Sequence, residues 1–344
     1  MAKVKVYTKN DIQRLTRKRG GEEKIGDKVQ YTLGDWKNDL TVSTAKFVLV
    51  GIPEDIGVRA NYGRGGAHTA FRPALDSFLS QQSNLFLDGQ EVYVLGEVEV
   101  DDLMEASQHL DVKNKEELQA LRKLVAEVDL RVTETIRFII ENKKIPLIVG
   151  GGHNNAYGAI RGSSEALHKP ISVLNCDPHT DFRPLEGRHS GNGFSYAFEE
   201  GYLNQYSVCC IHEQYNNAAS LRAFSNHAQR LFYTSYESVF VREQESFKLA
   251  VQKNCAFVNN SPCGIELDLD AITNVPSSAK TSSGISPVQA RQYLHLAASG
   301  LTCVYLHIAE GAPVLSHIKA DNKTGKLIAY LLSDFIKAWQ AKNG

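Results

Sequence analysis

The sequence predicts an α/β fold, a parallel sheet with helices on both faces, and three observations carry that reading. Short β-branched runs alternate with helical patterns, one long segment is apolar along a single helical face, and no linker, repeat or low-complexity stretch divides the 344 residues. The runs fall at 47–50, 92–94, 145–149, 171–175, 208–211, 231–233, 265–269 and 304–308, each of a length that suits a buried strand. The clearest helix opens at Asn114, with Glu117 three residues later as in a capping box. It carries Leu118, Leu121, Val125, Val128, Val132, Ile136 and Ile139 at intervals of three or four. A second helix starts at Ser286-Pro287, a capping residue followed by a proline whose missing N–H is not needed there, and stops at Gly300. A third spans 327–341 and closes the chain. Residues 1–45 read as an N-terminal elaboration ahead of one domain, 46–344.

Composition narrows the partners. The 38 basic and 39 acidic side chains leave a net charge of −1, so no broad field favours nucleic acid or anionic lipid, and small molecules are the expected partners. No segment approaches the ~18 apolar residues of a membrane span, and the N-terminal stretch lacks the apolar core of a secretory signal. The cytoplasm is the expected compartment. The six cysteines show no zinc-type C-x-x-C pairing and are sparse for a disulfide scaffold. They are read as reduced, and Cys176 as a small buried filler rather than a ligand.

Ligands of open α/β sheets bind beyond the carboxyl ends of the strands, and three strand ends here share one kind of chemistry. After 145–149 come Gly150-Gly151-Gly152-His153, where glycines let the backbone turn and leave room beside the imidazole. After 171–175 come Asp177, His179 and Asp181 at alternate positions, on one side if the chain is extended. Asp268 and Asp270 follow the run that begins at Ile265. Alone, each motif has a plainer reading: Asp and His are common in loops, and paired Asp residues often cap turns. No Lys-Ser/Thr follows the glycines, so a phosphate loop is excluded. Together, four clustered carboxylates would repel and take up protons unless two divalent cations balanced them. Oxygen and imidazole donors without thiolate favour Mn²⁺, with Ni²⁺, Co²⁺ or Fe²⁺ accommodated by similar ligands, and such a pair makes water a nucleophile.

The motifs "GGGHNNAYG", "NCDPHTDFR", "HSGNGFSYA", "ELDLDAI" and "HIAEGAP" resemble those of the ureohydrolase superfamily of arginase, agmatinase and formimidoylglutamase, over about residues 45 to 340. The resemblance implies a three-layer α/β/α fold with a mostly parallel eight-stranded sheet and a homo-oligomer, trimer or hexamer. It also implies that His153, Asp177, Asp181 and Asp268 hold one Mn²⁺ while His179, Asp177, Asp268 and Asp270 hold the other, and that Glu310 grips the amidinium of the substrate. "GGGH", Arg183 directly after the Asp-x-His-x-Asp run, and "YSVCCIHEQYNNAASLRAF" are most similar to formimidoylglutamases. Ser190 and Asn192, in "SGN", are similar instead to the arginase loop that contacts the α-amino-acid end of its substrate. Arginases and agmatinases carry a proton-shuttling His soon after this loop, where Gly193-Phe194-Ser195-Tyr196 offers none.

The expected reaction is hydrolysis of a linear amidine C–N bond, with N-formimidoyl-L-glutamate giving L-glutamate and formamide. The alternative is a guanidino hydrolase releasing urea. A product with two carboxylates calls for cations, and Arg183 and Arg188 are the candidates, with His189 the candidate proton shuttle. A dinuclear phosphoesterase would need phosphate clamps beyond those two arginines. A non-catalytic metal-binding scaffold would use the same ligands without turnover.

Overall fold

Ten strands form one sheet in the computed structural model, which describes residues 3–316 and 322–344. In chain order they are β1 (Val4–Val6), β2 (Gln30–Tyr31), β3 (Phe47–Gly51), β4 (Val92–Val98), β5 (Ile145–Val149), β6 (Ile171–Cys176), β7 (Leu203–Ile211), β8 (Leu231–Ser235), β9 (Cys263–Asp268) and β10 (Cys303–Ala309). The spatial order is β1-β4-β3-β5-β10-β9-β6-β7-β8, with β2 also on β4. Every neighbouring pair is parallel except β1 with β4. The expected eight strands are thus corrected to ten. The additional two come from residues 1–45 and share the outer edge of β4, β2 beside Tyr93 and Val94, β1 beside Gly96 to Val98. An edge strand left bare would be open to pairing with other chains, and these two short strands cover it.

Alternate residues of the buried strands feed two separate cores. Phe47, Leu49, Leu147, Val149, Ile265, Leu267, Leu306 and Ile308 join one. Val48, Val50, Ile148, Val173, Val208 and Tyr305 join the other. The first is covered by helices that include Phe71–Leu79, Pro287–Gly300 and Lys323–Asn343, the second by Lys115–Glu141 and Asn155–Leu167, which makes three layers. The Asn114 side chain caps the long helix by accepting from the Glu116 and Glu117 N–H groups. Glu117 completes the turn differently from a capping box, bonding the Asn114 side-chain amide and the Asp111 N–H. All seven apolar residues expected on its inner face are buried. Gly158 lets the next helix lie close against it, because a β-carbon there would stand 2.8 Å from the Val132 side chain. Ser286 and Gln289 form the capping box of the helix they open.

Sheet order decides where chemistry can gather. β5, β10, β9 and β6 are four consecutive strands at the centre of the sheet, and their carboxyl ends carry Gly150–His153, Glu310, Asp268 and Asp177. None of the helices among the described residues is long and apolar enough to cross a membrane.

Candidate metal centre and its cavity

The loop after β5 is held from beneath. Gly151 has a φ of +77°, and a β-carbon on it would collide with Asn155 Nδ2 at 2.3 Å. Buried Glu54 accepts from the Gly152 N–H at 3.0 Å and from the side-chain amides of Asn155 and Asn154 at 2.6 and 3.2 Å. The His153 N–H donates to Glu310 Oε1 at 2.7 Å, which ties the β5 loop to the β10 end. Asp181 and Glu310 both adopt left-handed backbone, φ +44° and +64°, rare for residues with a β-carbon and typical of positions where surrounding structure over-determines the chain.

These constraints bring the six candidate ligands together. His153 Nδ1 stands 3.1 Å from Asp177 Oδ2, 3.1 Å from Asp181 Oδ2 and 3.2 Å from Asp268 Oδ2. Despite those distances, neither ring nitrogen of His153 has a hydrogen-bond partner, and both are fully buried. His179 Nδ1 lies 3.3 Å from Asp177 Oδ1. His153, Asp177, Asp181 and Asp268 form one group whose donor atoms all lie within 4.8 Å of one another, and His179, Asp268 and Asp270 form another, with Asp268 common to both. Asp270 is steadied by the Ala279 N–H at 2.9 Å and Ser278 Oγ at 3.2 Å.

The electrostatics are those of a site short of positive charge. Burial, with Asp270 and Asp177 nearby, pushes the Asp268 carboxyl well above the usual range, and burial with Asp177 raises Asp181. Burial also raises Asp270. Only Asp177 is lowered, His153 and His179 outweighing its burial. Burial and the Asp270 charge move Glu310 up to about 8, and its Oε2 is buried without a partner. Acceptor-rich, oxygen and imidazole, with a buried nitrogen facing three carboxylates and bonded to none, the donor set fits divalent metal.

Beside these ligands lies a cavity of about 300 Å³ whose lining includes His179, Asp181, Asp268, Asp270 and Glu310. Arg183, Ser190 and Asn61 also line it. Arg183 Nη1 donates to Asn61 Oδ1 at 3.0 Å, Asn61 Nδ2 donates to Ser190 Oγ at 3.3 Å, and Arg183 Nη2 pairs with Glu186 at 3.3 Å. The other three residues expected near the substrate do not line the cavity. Arg188 is buried in an ion pair with Asp129, and its Nε, Nη1 and Nη2 donors are spent on Asp129, Asn192, the His189 carbonyl and the Asn154 carbonyl. Its guanidinium also sits over the rings of Tyr157 and Tyr196. Asn192 accepts from Arg188 and the His189 N–H, and donates to the carbonyls of Gly187 and Pro184. His189 is wholly buried: Nδ1 accepts from the Gly191 N–H at 3.1 Å and Nε2 faces Glu186 at 3.1 Å, which leaves neither nitrogen for proton transfer into the cavity.

Among the cavity residues that the sequence reading did not single out are Asn61 and Tyr215. Asn61, which ends helix Ile56–Ala60, lies in no motif singled out above. Tyr215 stacks on His179 with centroids 5.8 Å apart, and it sits inside the "YSVCCIHEQYNN" segment, where its ring was the available signal. All six cysteines are free and buried.

The arginase-family model matches residues 45–337. The chain belongs to the arginase family. Among curated relatives, the formimidoylglutamase of Streptococcus gordonii is 26% identical over 308 residues, 87% of this chain and 86% of that protein. Among solved structures, the formimidoylglutamase of Bacillus subtilis superposes with a TM-score of 0.74 at 15% identity, covering 96% of each chain. A variant of Trypanosoma cruzi formiminoglutamase solved with Mn²⁺ gives 0.70 at 18% identity, covering 92% of this chain and 98% of that one. At those identities the two structures speak to the fold, which this arginase-family hydrolase shares.

Proposed function

We propose that this arginase-family hydrolase converts N-formimidoyl-L-glutamate and water to L-glutamate and formamide, with two Mn²⁺ ions held by His153, Asp177, Asp181 and Asp268 and by His179, Asp177, Asp268 and Asp270. The observation that carries the reading is the pair of largely buried donor groups joined through Asp268. When bound, two such cations make water nucleophilic at neutral pH and polarise the substrate.

The chain's own groups supply position. Glu310 fixes one oxygen on the His153 N–H, which leaves Oε2 to accept from the amidinium and hold its carbon over the ligand cluster. Arg183 is the cation that lines the cavity, and it takes a substrate carboxylate in place of its pairing with Glu186. Asn61 accepts from Arg183 and donates to Ser190, which links the two rim residues. Arg188, Asn192 and His189 keep the 183–192 segment in shape and are assigned no contact with substrate. A trimer or hexamer in the cytoplasm accompanies the reading, on family resemblance, and a monomeric mass by light scattering would overturn the assembly.

The test is a panel assay: Mn²⁺-loaded protein offered formimidoylglutamate, arginine, agmatine and guanidinobutyrate, with formamide, urea and ammonia measured. Formamide from formimidoylglutamate is the expected product. Faster urea release from arginine or agmatine would replace this reading with the guanidino alternative, and metal binding without any turnover would leave a scaffold.

A further inference from the structure

A fifth carboxylate lies under the metal ligands. Glu266 is on β9, two residues before Asp268 and therefore on the same face, and it is wholly inaccessible to solvent. The Tyr305 hydroxyl donates to Oε1 at 2.7 Å, and His307 Nδ1 meets Oε2 at 2.7 Å, both from the neighbouring strand β10. That same Oε2 lies 3.3 Å from His153 Nε2, on the ring edge opposite the three aspartates. His307 Nε2 in turn faces the Gly150 carbonyl, in the loop that carries His153. No part of the proposed reaction uses Glu266, Tyr305 or His307, and none of the three lines the cavity.

We infer that Glu266 is a positioning residue for metal binding: clamped by Tyr305 and His307 with Oε2 3.3 Å from the unpaired His153 Nε2, it is the acceptor that takes the Nε2 proton when a metal is bound, and so keeps the Nδ1 lone pair turned toward Asp177, Asp181 and Asp268. An imidazole can present either nitrogen, and the one that is free to ligate is decided by the hydrogen bond the other makes. With no such acceptor, the ring would be free to carry its proton on Nδ1, amid three carboxylates 3.1 to 3.2 Å away, where it blocks the site. Glu266 is itself anchored on two sides, so it cannot swing to follow a tilted ring. The inference rests on the two-metal reading above and adds to it an outer group acting on one of the two metals.

The experiment uses the full chain, stripped of metal and titrated with Mn²⁺ against a competing chelator, for wild type, Glu266→Gln and His307→Gln. Glu266→Gln keeps the size and the Tyr305 contact while removing the charge that receives the His153 proton. Loss of such an outer-shell partner weakens metal binding about 10- to 100-fold. Expected is that loss at one site only, with the other dissociation constant unchanged and the metal-free melting temperature near that of wild type. His307→Gln, which leaves the carboxylate but frees one side of it, is expected to show the same selectivity with a smaller loss, and it serves alone if Glu266→Gln does not fold. Wild-type affinity at both sites in the folded variants, or equal weakening of both sites together with a lower metal-free melting temperature, would overturn the inference. A wild type that binds fewer than two metals would instead overturn the two-metal reading itself.

Discussion

In the ligand cluster, buried polar atoms stand without hydrogen-bond partners; in the rim segment 183–192, the side chains of Arg188, Asn192 and His189 are engaged by residues inside and outside the segment. Nδ1 of His153, which faces three aspartates, and Oε2 of Glu310 are unpaired, while Arg188, Asn192 and His189 are satisfied by their neighbours. An unpaired buried polar group costs about 1 to 3 kcal/mol, so several in one place mark capacity kept for something that binds. A satisfied group has none to give. The two regions hold similar residue types, and what separates them is bonding capacity left unspent.

The largest effect should come from the ligand cluster. Asp268→Asn removes a carboxylate assigned, with Asp177, to both ions and should cost about ten-thousandfold in kcat/KM, roughly 5 kcal/mol, together with bound metal. Asp270→Asn, whose residue belongs to one group, should cost less; equal losses in the two variants would break the assignment of Asp268 as shared.

The rim should respond in stability. Arg188→Ala leaves Asp129 buried and uncompensated, so urea unfolding should show a loss of about 3 to 5 kcal/mol, with KM unchanged in whatever folds. A raised KM at undiminished stability would move Arg188 to the substrate. Between cluster and rim, Glu310→Gln should lower kcat by about a hundredfold, because its contact is with the reacting amidinium. Arg183→Ala should leave kcat alone and raise KM for formimidoylglutamate about tenfold, the weight of one charge-assisted hydrogen bond, with agmatine as the control that has no carboxylate. An unchanged KM would separate Arg183 from the substrate.

A further effect is a pH dependence. Burial, helped by Arg122 and Arg183 and opposed by Glu186, pushes the pKa of His189 down to about 4, against about 6.5 in an unfolded chain. Between those values the unfolded state holds more protons, so the stabilisation is complete above about pH 6.5 and is lost as pH falls toward 4, with a slope up to about 1.4 kcal/mol per unit. Denaturant midpoints for wild type and His189→Gln across that window should converge at low pH. Parallel curves would mean that His189 is not held neutral.

The sequence was legible where geometry is regular. Alternation along a strand puts Glu266 and Asp268 on one face by arithmetic, and parallel order puts four strand ends side by side. The three ligands after β6 converge for another reason as well, since the chain there leaves the extended form and Asp181 turns left-handed. In the rim, spacing alone could not say whether Arg183 or Arg188 points inward, because a loop has no period, and the deciding partner, Asp129, lies on a helix some sixty residues earlier. Asn61 was unreadable for the same reason: its contacts, Arg183 and Ser190, are more than a hundred residues away. β1 and β2 were missed because three- and two-residue strands offer too little alternation to detect.

The most direct test of the central claim, that the ligand cluster is a two-metal centre, is a Mn²⁺ titration of the metal-free full-length protein with bound and free metal separated at each step. The account predicts saturation at two ions per chain in wild type, with Asp268→Asn losing affinity at both sites. Saturation at one ion or none, or two ions held with undiminished affinity by Asp268→Asn, would contradict it.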